Sequence, residues 1–179
     1  EDAALIVSVR SQLVRRLSGT GGMAVIELSR HEVEEYLAAY DGVLSVAVVN
    51  TPSSTVVSGD SVAIETLLAR LEKENVFCRK VKVDYASHCF HVDEVLTELR
   101  ERLKSISPGK TSVPMYSTVT GALVSGESLD AEYWCRNLRQ PVRLDLALDS
   151  LIDDGYGVFL EVSAHPLLGI PLTTASAAS

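Results

Sequence analysis

Strand and helix signals alternate most regularly in residues 21–84, which read GGMAVIELSRHEVEEYLAAYDGVLSVAVVNTPSSTVVSGDSVAIETLLARLEKENVFCRKVKVD. Ser29, followed three residues later by Glu32, forms the capping-box pair that opens a helix. Asp60 or Ser61 caps a second helix, which has apolar residues at helical spacing. Four apolar runs around these helices predict strands, at 23–28, 44–49, 55–58 and 76–83. The order β-α-β-β-α-β predicts a ferredoxin-like subdomain, a four-stranded antiparallel sheet with both helices on one face.

The segments on either side predict an α/β body into which this subdomain is inserted. Residues 1–17 show apolar residues at helical spacing and end at a glycine-rich turn. Beyond the subdomain we expect a helix to about Lys104, a strand at 113–117, a helical segment capped by Asp130 and a helix that ends at Gly155. The apolar run 158–162 predicts a buried parallel strand. The fold class is therefore α+β or α/β, with boundaries at 1–20 for a body helix, 21–84 for the subdomain, 85–172 for the rest of the body and 173–179 for a frayed tail.

The composition is that of a folded chain with a sizeable core, since 46% of the 179 residues are hydrophobic and 22% are charged. The net charge of −8 argues against nucleic acid or an anionic membrane as the main partner. No apolar run reaches the length of a membrane span and no signal peptide opens the chain, so a cytoplasmic location is expected. Its three cysteines, Cys78, Cys89 and Cys135, are widely spaced and suggest neither a disulfide framework nor a metal site.

His88 is the first candidate for catalysis. It ends the run Tyr85-Ala86-Ser87-His88, which lies between the fourth predicted strand and the helix that follows. A histidine at such a crossing is held on a rigid base while its ring can face a cleft, which suits a general base. A lone histidine in a loop is more often a solvated or hydrogen-bonded side chain, so its position alone leaves both interpretations open.

Short motifs run in order through nearly the whole chain: DAA (2–4) with VRSQ (9–12), GGMA (21–24), VVNTP (48–52) with VSG (57–59), VDYASH (83–88), YW (133–134) with RNLRQPVR (136–143), and FLEVS (159–163) with HP (165–166). In this order they resemble the acyltransferase domain of modular type I polyketide synthases, a family related to malonyl-CoA:acyl carrier protein transacylases. One departure is Ala164, where the family more often has proline. The resemblance implies a ferredoxin-like subdomain within an incomplete α/β-hydrolase-like acyltransferase body.

The resemblance also implies a reaction and its participants. A serine attacks the thioester of an acyl-CoA, and the acyl group then passes to the phosphopantetheine thiol of an acyl carrier protein; no bound cofactor or metal is implied. A ketosynthase domain would be a neighbour in the same polypeptide. His88 would be the general base, because a serine hydroxyl needs one near pH 7. A backbone carbonyl near Asn137 or Gln140 would orient its ring.

Substrate recognition is assigned by the same resemblance. Arg10 would bind the free carboxylate of the extender unit, for which the planar guanidinium is well suited, and Asn50 would also lie in the substrate region. Tyr85, Ala86 and Ser87 would select methylmalonyl-CoA over malonyl-CoA. Serine is smaller than the phenylalanine of malonyl-selective members, which leaves space for an α-methyl group.

No G-x-S-x-G turn, the family's nucleophile segment, occurs in these residues, and the resemblance places it before residue 1. We therefore expect a fragment that is inactive on its own. A non-catalytic ferredoxin-like module that binds a ligand or docks a carrier protein is the alternative, since a fold does not determine a function. A serine hydrolase is disfavoured by Arg10, because a buried cation would bind an acyl carboxylate rather than promote attack by water.

Overall fold

The computed structural model describes residues 1–177, with the side chains described up to Ala175. Its helices and strands, in chain order, are α1 (Asp2–Val14), β1 (Gly21–Ile26), α2 (Arg30–Leu37), β2 (Leu44–Thr51), β3 (Ser54–Asp60), α3 (Ser61–Lys73), β4 (Cys78–Lys80), α4 (Asp93–Leu103), β5 (Met115–Ser117), β6 (Ala122–Val124), α5 (Ala131–Arg139), β7 (Val142–Arg143), α6 (Leu144–Asp153) and α7 (Gly169–Ala177). Short 3-10 turns lie at Arg15–Leu17, Ala38–Tyr40, Phe90–Val92 and Gly126–Ser128.

The predicted order β-α-β-β-α-β is confirmed between β1 and β4. The capping box forms at the start of α2, where the Ser29 side chain accepts from the Glu32 amide and Glu32 accepts from the Ser29 amide. Asp60 caps α3 by accepting from the Ala63 amide at 2.9 Å. Within the described residues five of the seven strands assemble in the order β4-β1-β3-β2-β7, with β7 parallel to β2 and the other pairs antiparallel. β5 and β6 form a separate antiparallel pair.

The two faces of this sheet carry different side chains. One face packs on α2 and α3, and at this contact Ile26 and Val57 of the sheet and Ile64 and Leu67 of α3 are 0–1% exposed. The opposite face carries Met23, Ala47 and Val56, with Val25, Val48, Val81 and Val83 packed around them. This second face is the one on which the chain crosses after β4.

A separate apolar cluster joins α1, α4 and α5. The residues that these helices bury against one another are Ile6, Val9 and Leu13 from α1, Val95, Leu99 and Leu103 from α4, and Cys135 and Leu138 from α5. Tyr85 packs against this cluster from the crossing segment. The crossing between strand and helix is therefore supported by the sheet on one side and by three helices on the other.

Two predicted segments differ at their ends. The fourth strand was expected over 76–83 but ends at Lys80. The Val81 amide still donates to Met23 at 2.8 Å, whereas the Val83 amide donates to Val81, so the chain turns away from the sheet. The tail expected to fray from residue 173 is helical through Ala177, while residues 178–179 lie outside the described part.

The prediction of a buried parallel strand at 158–162 is wrong. This segment forms no strand, and Val158 and Leu160 are 93% and 86% exposed. A parallel strand needs neighbours to receive its backbone hydrogen bonds and cover on both faces, and no strand among residues 1–177 pairs with it. Instead the Glu161 carboxylate accepts from the amides of Leu167 and Leu168, which closes a loop.

Residues 1–177 show neither a membrane-spanning helix nor a cluster of metal-binding side chains. None of the helices there combines the length and hydrophobicity needed to cross a bilayer. The same residues contain no cluster of three or more histidine, cysteine, aspartate or glutamate side chains arranged to hold a metal ion.

Candidate active site

His88 lies in the crossing segment with a backbone conformation that few non-glycine residues adopt. Its φ is 59°, in the left-handed region, where histidine is among the better-tolerated residues. The conformation is held by a hydrogen bond from the His88 amide to the carbonyl of Leu138 at 3.1 Å. The side chain is only 8% exposed. An unusual backbone held by its surroundings is typical of functional sites.

The ring of His88 is oriented by a second carbonyl of the same region. Its Nδ1 lies 2.8 Å from the carbonyl oxygen of Gln140. A carbonyl can only accept, so Nδ1 carries the proton and the Nε2 lone pair is left to act as a base. Burial lowers the pKa of His88, the nearby Arg10 charge lowers it further, and the bond to Gln140 opposes both. The ring is therefore held neutral near pH 7.

Arg10 projects from α1 and is half-buried. Its Nη1 donates to Oδ1 of Asn137 at 3.0 Å. Burial lowers the pKa of Arg10, and Tyr85 is close enough to raise it. A guanidinium nevertheless stays protonated in proteins, so Arg10 brings a positive charge next to a neutral imidazole.

The last turn of α5 and the residue after it hold both of these side chains. The helix is capped by Asp130, which accepts from the Tyr133 amide at 2.8 Å, and is anchored by the bond between the Tyr133 and Ser117 hydroxyls. The two residues expected to offer a backbone carbonyl to His88 behave differently. Gln140 does so, whereas Asn137 uses its side chain to bind Arg10.

The contribution of Leu138 was missed by sequence reasoning. Its carbonyl accepts from the His88 amide, while its side chain is buried among the helices. A backbone carbonyl leaves no side-chain signature, so only its nearness to the predicted Asn137–Gln140 run could have suggested it.

The three residues before His88 are packed to different depths. Ala86 is fully buried, and a Cβ added at Gly21 would lie 2.7 Å from the Cβ of Ala86. Ser87 is 8% exposed and its hydroxyl donates to the sulfur of Met23 at 3.6 Å. Tyr85 is half-buried against the helices. The sequence predicts Met23, the partner of Ser87, as a strand residue within the GGMA motif and does not indicate this contact.

Asn50 is not joined to this cluster by a hydrogen bond in the described part of the chain. It lies near the end of β2, where the register of β2 with β3 is irregular. Alternation from Val48 and Val49 places Asn50 on the same face as Val48, the face that also carries Met23. Its role in substrate binding stays a prediction.

A cavity of about 340 Å³ lies between α1 and the loops around Pro108 and Gly126. Arg10 borders it, together with largely apolar neighbours that include Ile6, Val7 and Trp134. His88, Ser87 and Gln140 do not border it. Within residues 1–177, Arg10 is therefore the one residue of the candidate site that borders this cavity.

Comparison with known sequences gives a consistent family. The family profile described as "Acyl transferase domain" matches residues 1–177. The polyketide synthase GfsB of Streptomyces halstedii is 47% identical over 173 residues, which is 96% of this chain and 3% of that protein. The pikromycin polyketide synthase component PikAII of Streptomyces venezuelae is 45% identical over 174 residues, which is 96% of this chain and 5% of that protein.

Solved structures agree with these sequences. The acyltransferase domain from module 8 of the salinomycin polyketide synthase superposes with a TM-score of 0.96 at 42% identity, over 99% of this chain and 42% of that one. A loading acyltransferase from the avermectin polyketide synthase gives 0.95 at 33% identity, over 99% of this chain and 57% of that one. The chain thus spans about half of these domains or less, and a few per cent of the synthases. It belongs to the acyltransferase domain family of modular polyketide synthases.

Proposed function

We propose that this chain is part of an acyltransferase domain that loads an extender unit from acyl-CoA onto the phosphopantetheine thiol of an acyl carrier protein. The carrier protein and a neighbouring ketosynthase would be its partners in the synthase. The observation that carries this proposal is the pairing of a neutral, carbonyl-oriented His88 with the nearby positive charge of Arg10.

His88 would act on a serine supplied by a part of the protein outside residues 1–179. Its Nε2 takes the hydroxyl proton as the serine oxygen attacks the thioester carbonyl. Collapse of the tetrahedral intermediate releases CoA, whose sulfur takes the proton back from the imidazolium. The second half-reaction reverses these roles: His88 deprotonates the phosphopantetheine thiol, which attacks the acyl-serine ester and regenerates the hydroxyl.

Arg10 would bind the free carboxylate of the extender unit. A half-buried guanidinium with remaining N–H donors suits a carboxylate, because charge-assisted hydrogen bonds are stronger where water is excluded. Tyr85, Ala86 and Ser87 would shape the acyl pocket, with methylmalonyl preferred to malonyl. The small size of Ser87 supports this preference: its hydroxyl donates to the sulfur of Met23, and a bulkier side chain beside His88 would take the space that an α-methyl group needs. Asn50 would be a further substrate-binding residue.

Residues 21–84 would form the ferredoxin-like subdomain of such a domain. The strand order β4-β1-β3-β2 and the two helices on one face support this assignment. Residues 1–20 and 85–172 would then belong to the α/β-hydrolase-like body. His88 lies just beyond this boundary, where a cleft between the two parts would admit acyl-CoA.

The test measures acyl transfer by the intact synthase protein that contains this chain. Labelled methylmalonyl-CoA and malonyl-CoA compete for transfer to the carrier protein, and we expect methylmalonyl to be preferred. A clear malonyl preference would overturn the extender assignment, and no transfer of either would overturn the function. The 179 residues alone should acquire no covalent label from methylmalonyl-CoA, and stoichiometric labelling at one serine would contradict that expectation.

A further inference from the structure

Arg10 differs from the other lysines and arginines in how its charge is matched. Nine basic side chains lie within 4.0 Å of a carboxylate: Arg16, Arg30, Arg70, Lys80, Arg100, Arg102, Lys104, Arg139 and Arg143. Six others have no such partner but are exposed: Arg15, Lys73, Arg79, Lys82, Lys110 and Arg136. Within the described residues, Arg10 alone combines burial with the absence of a carboxylate.

A buried charge without a counter-ion is unfavourable unless it is hydrogen-bonded. The hydrogen bond that Arg10 makes is to the side-chain oxygen of Asn137, at 3.0 Å. An amide oxygen fixes the direction of a guanidinium as a carboxylate does, but it carries no charge. Arg10 is therefore oriented without being neutralised.

The position of Asn137 links this contact to His88. Asn137, Leu138 and Gln140 lie at the end of α5, and the carbonyls of the last two hold the amide and the ring of His88. One rigid turn thus holds the base through its backbone and the cation through a side chain. Side chains locked by such supporting bonds keep the geometry that binding and catalysis require.

We propose that Asn137 is a positioning residue, which holds the Arg10 guanidinium beside His88 and, because it is uncharged, leaves that charge free for the carboxylate of the substrate. The inference rests on the proposed function and deepens it. Through Arg10, Asn137 would help the site to distinguish acyl groups that carry a carboxylate from those that do not.

The isosteric variant Asn137→Asp separates charge from shape. An aspartate here would pair with Arg10 and compete with the substrate carboxylate. In the intact synthase protein we expect kcat/KM for methylmalonyl-CoA to fall about 10- to 100-fold, mainly through KM, the range expected when a hydrogen bond to a charged group is lost. Propionyl-CoA has the same acyl skeleton without the carboxylate, so its slow transfer should be unchanged.

A pH profile adds a readout that a folding defect would not reproduce. Arg10 lowers the pKa of His88, and a carboxylate at position 137 would offset that effect. The acidic limb of kcat/KM should therefore move to higher pH in Asn137→Asp. Asn137→Ser, which is neutral but too short to reach Arg10 in the same way, should weaken methylmalonyl-CoA binding and move this limb less than Asn137→Asp does, because it adds no negative charge.

Arg136→Gln on the exposed side of the same helix is the matched control and should match the wild type in both assays. Arg10→Ala tests the underlying function, because it should remove the preference for methylmalonyl-CoA over propionyl-CoA. In that background Asn137→Asp should cause no further loss, since the two residues act as a unit.

The outcomes separate the two claims. If Arg10→Ala removes the preference and Asn137→Asp retains it, the inference is overturned and the proposed function stands. If Arg10→Ala retains the preference, the role of Arg10 in the proposed function is itself wrong. An equal fall for both substrates in Asn137→Asp, with no shift of the pH profile, would also overturn the inference.

Discussion

The two faces of the central sheet differ in the side chains that they bury. The face that packs on α2 and α3 buries aliphatic side chains, with Ile26 and Leu67 at 0–1% exposure, and holds no titratable group at its centre. The other face lies against the crossing segment. There the Ser87 hydroxyl donates to the sulfur of Met23, and His88 has a left-handed backbone conformation. It also buries the Ser58 hydroxyl, which has no hydrogen-bond partner of normal geometry among the described residues. Apolar packing against α2 and α3 distinguishes the first face, and the residues of the proposed active site lie on the side of the second.

The largest expected effect is on the second face, at His88. The change His88→Asn keeps a donor toward Gln140 and tolerates the positive φ, but removes the base. Acyl transfer by the intact synthase protein should fall about 10²- to 10⁴-fold, the usual contribution of general acid–base catalysis. Thermal unfolding should be little affected. Transfer at the wild-type rate would show that His88 is not the base.

The converse change lies on the first face. Leu67→Ala removes a fully buried side chain from α3 and should lower the free energy of unfolding by about 2–5 kcal/mol. The ratio of methylmalonyl to malonyl transfer should stay constant, because the space left by the shortened side chain lies on the far side of the sheet from His88. Val62→Ala on the exposed side of α3, where Val62 is 68% exposed, is the control and should change neither quantity. A changed ratio in Leu67→Ala would mean that the faces are not independent.

A smaller effect is expected from adding bulk beside Met23. Ser87→Phe should move the competition between the two CoA thioesters toward malonyl by about 1–3 kcal/mol, the range for one methyl group's worth of discrimination. Ser87→Ala removes only the hydroxyl and should leave the ratio unchanged. Because both substrates compete in one reaction, any loss of folded protein lowers both transfer rates equally and leaves their ratio unchanged. An unchanged ratio in Ser87→Phe would refute the role of Ser87 as a filter.

The smallest effect is a pH dependence of stability. Burial depresses the pKa of His88 below its ordinary 6.5, so the unfolded chain takes up a proton at this site more readily than the folded one. Stability from this group is present above pH 6.5 and is lost as the pH falls through about 6.5 toward the lower folded pKa, with a slope of at most about 1.4 kcal/mol per pH unit. Urea unfolding at several pH values should show a shallower acidic slope in His88→Asn. Identical slopes would exclude a perturbed His88.

The sequence predicted the sheet unit well because local signals agreed there with tertiary structure. Capping at Ser29 and Asp60 and the apolar spacing of α3 each correspond to an observed contact. Residues 158–162 were misassigned because hydrophobicity alone does not show whether a neighbouring strand exists. β4 was overextended because alternation continues to Val83, although the backbone turns after Val81.

The candidate site was predictable in its residues but not in their contacts. The sequence pointed to His88, Arg10 and the Asn137–Gln140 run through motifs, and all three regions meet in the structure. It could not show which atoms meet, because a carbonyl acceptor such as Leu138 is the same chemical group at every position. The side-chain role of Asn137 likewise depends on the packing of α1 against α5, which lies far away in sequence.

Gln140 lies between α5 and β7, and so links the cluster of α1, α4 and α5 to the sheet. Its carbonyl holds the ring of His88, while Val142, two residues later, pairs with Val48 on the edge of the sheet. The peptide that orients the imidazole therefore connects the helical cluster to the sheet. A change in the angle between the helical cluster and the sheet would therefore change the geometry of the 2.8 Å bond to His88. The orientation of the His88 ring thus depends on how the helical cluster is joined to the sheet.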